Sequence, residues 1–487
     1  MLPKDPREAF IAFILAATLI VIWLSLFAIR GPGIFYEPQP ALQLLAGEDA
    51  TFLRHAMSVE FPSPMDYTPI EEVCTADVGE GDNRRFRPGL VFSCEEQHGG
   101  VGMVRNQILK CVRFAIQAGA ALVIPGMAKR NEKDISDIET SNTVPLEYLF
   151  DREMFVKQLT ESCPGMRLYN SVEDFPGYED RVKTEQGKEK GLELVGDQFE
   201  PDRPREGISH PEDWREEFDA WLKEKDVQYT EKKPVHVKIG QAYLEYNVHS
   251  DSPEFVSEFG KLLSFRADTR ALAARVLLQM KSQYGIDLEP MKPTRMDGKG
   301  FLGAHLRLEK DAIEAWTVAE GWVYSERDKQ FGGVWDEARR MKSSVIYVAT
   351  GEEDVVDAFK ELADGELAAE VEEGEVLERR NVSIVTKHSL LSASPHDLAR
   401  LKAMTFDQQA LVDFLIMFKS TFFVGIASSS FPWTVALRRH EMSMYRGADG
   451  MGYANEGSDI LRDELSVILG EREEYPYVDP FEWGLWP

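Results

Sequence analysis

From residue 88 to residue 440, short apolar runs alternate with stretches of helical periodicity, and this alternation is the strongest constraint on how the chain can fold. LVFSC, the Gly-rich EEQHGGVG, VRNQILKCVRFAIQAG and AALVIPG follow one another as strand, turn, helix and strand of a βαβ unit. Further on, PVHVKIG reads as a strand, and EFVSEFGKLLSF and TRALAARVLLQMKSQYG read as helices. The second half repeats the pattern. GFLGAHLRL, SSVIYVATG, NVSIVTKH and TFFVGI are its strands; DAIEAWTVAEGW, VVDAFKELADG, FDQQALVDFLIMFKS and PWTVALRRH are its helical stretches. Strands alternating with helices predict an α/β protein whose parallel sheets are covered on both faces. A break near 285–298 predicts two Rossmann-like domains facing a cleft, 88–290 and 291–465, with 466–487 as a C-terminal tail. Within the first, residues 170–233 are dense in charge and read as a surface insertion with one helix near PEDWREEFDAWLKEK. The acidic run 352–378 reads as a solvated helix face and loop.

Ahead of this pattern, residues 9–29 carry no charge. At about 1.5 Å per residue such a helix would cross roughly 30 Å of bilayer core. The run exceeds an ordinary signal-peptide core, so a transmembrane anchor is expected, with a cleaved signal as the alternative. Lys4 and Arg7 before it and Arg30 after it bias the N-terminus towards the cytoplasm. Residues 1–8 would then be a cytoplasmic tail and 30–87, with its proline-rich stretches, a stem. The expected product is a single-pass type II protein of the Golgi or endoplasmic reticulum with its bulk in the lumen. A formal charge of -28 would repel phosphate backbones, which argues against nucleic acid as a partner. Cys74, Cys94, Cys111 and Cys163 all follow the run, an even number that suits two disulfides. Three pairings are open, and a buried free thiol is the alternative for Cys111. The sequon Asn381-Val382-Ser383 is a candidate glycosylation site that also opens a strand-like alternation.

Three segments carry residues suited to chemistry. In HLRLEKD, strand alternation sends His305, Arg307 and Glu309 one way and Leu306 and Leu308 the other. Strand carboxyl ends line the ligand crevice of a parallel sheet, and an arginine there offers a fork of donors to a diphosphate. A salt bridge from Arg307 to Glu309 or Asp311 is the competing reading. In TFFVGIASSSFPWTVALRRH a buried strand runs into serines and then a helix beginning near Pro432. Its free N–H groups could hold phosphate oxygens, or a serine could simply be an N-cap. In HGGVGMVRNQ, Gly99, Gly100 and Gly102 allow close backbone approach, although Arg105 stands where a dinucleotide fingerprint wants its third glycine.

Taken together, HLRLE, SSSF with Asp413 eighteen residues before Phe431, and the Gly-rich turn with Arg105-Asn106-Gln107 resemble the GDP-fucose protein O-fucosyltransferase family over about 90–440. The resemblance implies a GT-B fold and an inverting transfer from a GDP-sugar, with GDP-fucose the expected donor, to a protein or glycan hydroxyl. It implies no metal cofactor, and the chain contains no Asp-x-Asp. Carried over, Arg307 is the catalytic residue and a diphosphate ligand. His305 and Asp413 contact the nucleotide, and Ser429, Ser430 and Phe431 form the final motif. Gly100, Gly102, Arg105 and Asn106 belong to the donor-binding first turn. Some members carry a glutamate and an asparagine in that turn, where this chain has Gly99 and Gly102. Asn106 matches the asparagine only with a shifted register. The general base is therefore open, with Glu95, Glu96 and His98 nearby, and a non-catalytic member that binds glycan or nucleotide is the alternative. A tethered structural protein is a third.

Overall fold

The apolar runs of the first half assemble into a wholly parallel sheet of five strands: β1 (Leu90–Cys94), β2 (Ala121–Val123), β3 (Leu168–Tyr169), β4 (Glu193–Val195) and β5 (Val235–Ile239). The computed structural model describes residues 48–58, 64–76, 85–94, 97–131, 142–179, 193–195, 214–239, 246–290, 299–372, 381–441, 459–471, 481 and 484–487. Residues 51–487 belong to one compact unit. Strand order in the first sheet is β3-β2-β1-β5-β4, with Val91 opposite Ala121 and Leu90 opposite Val235. Helix α1 (Val101–Ala118) makes the first crossover, from β1 to β2.

The second sheet has six strands: β6 (Leu302–His305), β7 (Val345–Ala349), β8 (Ser383–Val385), β9 (Phe422–Ile426), β10 (Asp459–Arg462) and β11 (Ser466–Leu469). Their order is β8-β7-β6-β9-β11-β10; all pairs are parallel except the β10–β11 hairpin. Alternation decides which residues face which layer. Leu302, Ala304, Ile346 and Val348 pack with Phe331, Val334, Trp335, Val356 and Phe359 in one buried cluster. Those partners come from α4 (Arg327–Arg340) and α5 (Glu353–Glu372), numbered after α2 (Trp214–Glu224) and α3 (Ala267–Tyr284). On the other face, Gly303 lies against Met417 at the end of α6 (Phe406–Met417). Eight residues from Leu411 to Phe418 of this region are buried, as expected of a helix apolar on all sides. Parallel sheets in an α/β chain are thus as the alternation predicts.

Four boundaries differ from expectation. The charged insertion 170–233 contributes β4 to the first sheet, and α2 lays Trp214 and Phe218 over Phe92 and Phe114, with Trp221 stacked on Phe218. Those aromatics recur at helical spacing, so a stripe of core residues is hidden in charged surroundings. The supposed tail begins with β11, which pairs with β9 through a four-residue apolar run, Ser466–Leu469. Helix α5 continues through Gly365, where a Cβ would meet nothing within 4 Å, to Glu372. Finally, the stem contains helices Glu48–Ala56 and Thr68–Thr75, and the second is fastened to the fold by Cys74–Cys163. Cys94–Cys111 is the other disulfide, joining the end of β1 to the middle of α1. Among the described residues no helix is long and apolar enough to cross a membrane; the 9–29 run lies outside them.

Candidate active site

In each sheet the chain winds one way from its first strand and then crosses to that strand's other side, and a ligand crevice of a parallel sheet opens at such a reversal. In the second sheet the reversal falls between β6 and β9, the two strands that deliver HLRLE and SSSF. The imidazole of His305 and the ring of Phe431 are stacked there, 4.4 Å apart and 11° from parallel, with Phe414 of α6 edge-on to Phe431 at 4.8 Å. In the first sheet the reversal lies between β1 and β5, next to the Gly-rich turn.

Beyond β9, helix α7 (Ser430–His440) starts from the N-cap Ser429, whose Oγ accepts the Phe431 N–H at 3.4 Å. Trp433 Nε1 donates to the Ala427 carbonyl at 2.9 Å and fixes the path of the turn. Pro432 occupies the first turn, where its missing N–H costs nothing. Gly102, in the first turn of α1, meets this turn face to face. A Cβ on Gly102 would lie 2.8 Å from both the Ser430 carbonyl oxygen and Thr434 Oγ1. The Gly-rich turn and the serine turn, 328 residues apart between Gly102 and Ser430, are therefore in contact because this position has no side chain. Gly99 has φ +110, a conformation that a glutamate would adopt only under strain.

Arg307 lies past the end of β6. Gln330 of α4 pins its backbone, accepting the Arg307 N–H at 3.0 Å and donating to the Arg307 carbonyl at 3.3 Å. The guanidinium donates to Glu309 Oε2 at 2.5 Å and to both oxygens of Asp311 at 3.0 and 2.6 Å, and it sits 5.3 Å over the Trp316 ring. Thus the ion pairs of the competing reading are present. Burial opposes the charge on Arg307, but Glu309 and Asp311 outweigh it and raise its pKa. Burial likewise opposes ionisation of Glu309, yet Arg307 keeps its carboxyl below the usual range. His305 shows the reverse outcome: burial pulls its imidazole down to about 4, so it is neutral near pH 7.

Two buried polar atoms at this reversal have no hydrogen-bond partner among the described residues, His305 Nδ1 and Ser428 Oγ. Each belongs to a side chain about 8% exposed. Unpaired buried polar atoms are costly, and a crevice is where a ligand can satisfy them. Ser428 opens the SSSF motif but is not among Ser429, Ser430 and Phe431, the residues expected to bind the donor, and its burial is what marks it.

Other expected site residues lie elsewhere. Asp413 is 4% exposed, and its oxygens accept from Tyr347 Oη at 2.7 Å and Lys387 Nζ at 2.5 Å. A carboxylate so engaged is a buried structural hub between β7, α6 and the segment after β8. Nothing local in FDQQALVDFL signals Lys387, which arrives from the residue after β8 and Thr386. Arg105 and Asn106 are buried on α1 facing away from the turn. Arg105 donates to carbonyls of Trp486, Gly260 and Pro487 at 2.7, 2.9 and 2.8 Å, and Asn106 accepts the Trp486 N–H at 3.2 Å. Helical geometry turns these positions from the N-terminal turn towards a pocket of Tyr246, Phe255 and Phe259 that encloses Trp486. Gly100 is the N-cap of α1, with Arg130 Nη1 nearby. His98 is held at its backbone by Gln107, while Glu95 and Glu96 lie outside the described residues. Asn381 is exposed just before the edge strand β8. Among the described residues no group of three or more His, Cys, Asp or Glu could hold a metal ion.

The arrangement offers a guanidinium, a helix N-terminus and a flat aromatic pair to a phosphorylated, ring-bearing ligand. In comparison with protein families, residues 90–442 match the model described as GDP-fucose protein O-fucosyltransferase. Among solved structures, POFUT1 in complex with GDP is 14% identical over 79% of this chain and 100% of that one, with a TM-score of 0.40. The fucosyltransferase NodZ from Bradyrhizobium is 15% identical over 71% of this chain and 91% of its own, with a TM-score of 0.33. A mutant of Arabidopsis thaliana FUT1 in complex with GDP is 13% identical over 83% and 78%, with a TM-score of 0.32. Comparison with curated proteins finds no match.

Proposed function

The chain belongs to the GDP-fucose protein O-fucosyltransferase family of glycosyltransferases, and from that premise we propose that it transfers fucose from GDP-fucose, with inversion, to a hydroxyl of a protein or glycan. In this reading the two parallel sheets are the halves of a GT-B fold, and the donor lies at the β6–β9 reversal. The base stacks near His305 and Phe431, and the diphosphate meets Arg307 and the Ser428–Phe431 turn. As the acceptor hydroxyl oxygen attacks the anomeric carbon, the bond to phosphate breaks, negative charge grows on the departing GDP, and the hydroxyl proton passes to the released phosphate or to water. Arg307 then helps more in the transition state than in the ground state, which is the condition for raising turnover. Residues 9–29 would anchor the protein with this site in the lumen.

The observation that carries the reading is the pair of unsatisfied buried atoms, His305 Nδ1 at the end of β6 and Ser428 Oγ in the turn after β9, at the strands flanking the reversal. A second reading, a non-catalytic member that binds nucleotide or glycan, is favoured by Gly99 and Gly102, which leave the first turn without a functional side chain. Calorimetric titration of the purified protein with GDP and GDP-fucose, with fucose release measured in parallel, separates them. Binding with turnover supports the transferase; binding without hydrolysis or transfer selects the second reading; no binding of either nucleotide removes the transferase and leaves the second reading only as a glycan binder.

A further inference from the structure

The guanidinium of Arg307 is shared by two carboxylates that are held very differently. Glu309 is 5% exposed, and its second oxygen accepts the Gly351 N–H at 2.9 Å, beyond the end of β7. Withdrawing Glu309 would strand both a buried carboxylate and a backbone donor. Asp311 has no hydrogen-bond partner among the described residues other than Arg307. It sits on the short helical turn Lys310–Ala312, which passes into a π-helical segment, Ile313–Ala319. The flanking side chains Lys310 and Glu314 are 86% and 64% exposed, and Val318 is 74% exposed, so little packing holds this segment. Segments of this kind can change register at modest cost.

One guanidinium between two carboxylates already carries a net negative surround. A diphosphate arriving at the same fork cannot coexist with both, because like charges at hydrogen-bond distance repel strongly in a partly buried site. We propose that Glu309 is the fixed carboxylate that positions Arg307, while Asp311 occupies the diphosphate's place and leaves when the donor binds. The proposal rests on the donor reading of Arg307 given above. Glu309 keeps the guanidinium aimed at the crevice in both states. Asp311 screens it when the donor is absent and, on leaving, frees the two-pronged edge for phosphate oxygens.

The test is calorimetric titration of the full chain with GDP, with guanosine as a control that lacks the diphosphate. Asp311→Asn removes the competitor's charge and is expected to bind GDP about fivefold more tightly, as loss of one partly exposed ion pair would give. Its guanosine affinity stays unchanged. Damage to the fold weakens binding, so a gain in affinity cannot arise that way. Glu309→Gln is expected to bind GDP more weakly and to lose turnover by a larger factor than binding, with Glu309→Asp recovering part of both. If Glu309→Gln does not fold, the Asp311→Asn result decides. GDP affinity in Asp311→Asn that is unchanged or weaker overturns the proposal. Arg307→Ala separates this from the reading beneath it: wild-type GDP affinity in that variant would remove Arg307 from the donor site altogether.

Discussion

Gly102 joins two distant turns because it lacks a Cβ. A methyl group added at that glycine would stand 2.8 Å from both the Ser430 carbonyl and Thr434 Oγ1, so Gly102→Ala should force α1 and α7 apart. Overpacking of this sort costs about 1–3 kcal/mol; a thermal or urea midpoint equal to wild type would show that the contact is not formed. His305 gives a prediction with a sign. Its imidazole, depressed by burial to about 4, is neutral in the fold where the unfolded chain, near the ordinary 6.5, is already protonated. Stability is fully present above about pH 6.5 and is lost as pH falls towards 4, by up to about 3 kcal/mol. His305→Phe keeps a ring against Phe431 and abolishes that titration. Urea unfolding at pH 7 and pH 5 should therefore differ less for the variant than for the parent, and an equal difference would refute the assignment.

Among the elements, β1 and α1 carry the clearest covalent constraint. Cys94–Cys111 closes a loop of sequence separation 17 across the strand–turn–helix that presents the Gly-rich turn. Removing it by paired Cys94→Ser and Cys111→Ser substitution should lower unfolding free energy by about 3 kcal/mol on chain-entropy grounds. Equal denaturant midpoints before and after would mean the bond does not form. The alternation rule served well for β6 and β7, where Leu302, Ala304, Ile346 and Val348 face one cluster and Tyr347 faces α6. It failed where an element is short. β4, three residues in a charged stretch, has too little periodicity to be recognised, and it exists because β5 offers it a parallel edge. In α2, Trp214, Phe218 and Trp221 announce a helix, but only Phe92 and Phe114 beneath Trp214 and Phe218 show that it is core.

At the scale of the molecule, the proposed type II topology is tested by expressing the chain with a C-terminal tag in sealed microsomes. Protection of the tag from protease is expected, together with a mobility shift reversed by endoglycosidase if the exposed Asn381 is reached by the luminal machinery. Digestion of the tag without detergent would place the bulk on the cytoplasmic side. The formal charge of -28 adds a condition on the donor site, since a dianionic ligand approaches against the net field of the protein. In the proposed donor site Arg307 and the α7 N-terminus would supply the local attraction, and GDP affinity, titrated at two ionic strengths, should rise as salt screens the distant acidic surface.

Class of fold, parallel sheets and the segments HLRLE and SSSF were all legible in the chain, because period, turn residues and strand ends are properties of neighbours in sequence. His305 and Phe431 could be named in this way, but their stacking could not, since it depends on β6 and β9 being adjacent across the strand reversal. The fates of Asp413, Arg105 and Asn106 were likewise hidden. Lys387 and Tyr347 claim the first, and the segment around Trp486 claims the others. A polar side chain's role is set by which donor or acceptor lies within about 3 Å of it. For Asp413, Arg105 and Asn106 that partner came from tens to hundreds of residues away, so only the packed chain could reveal the structural bond.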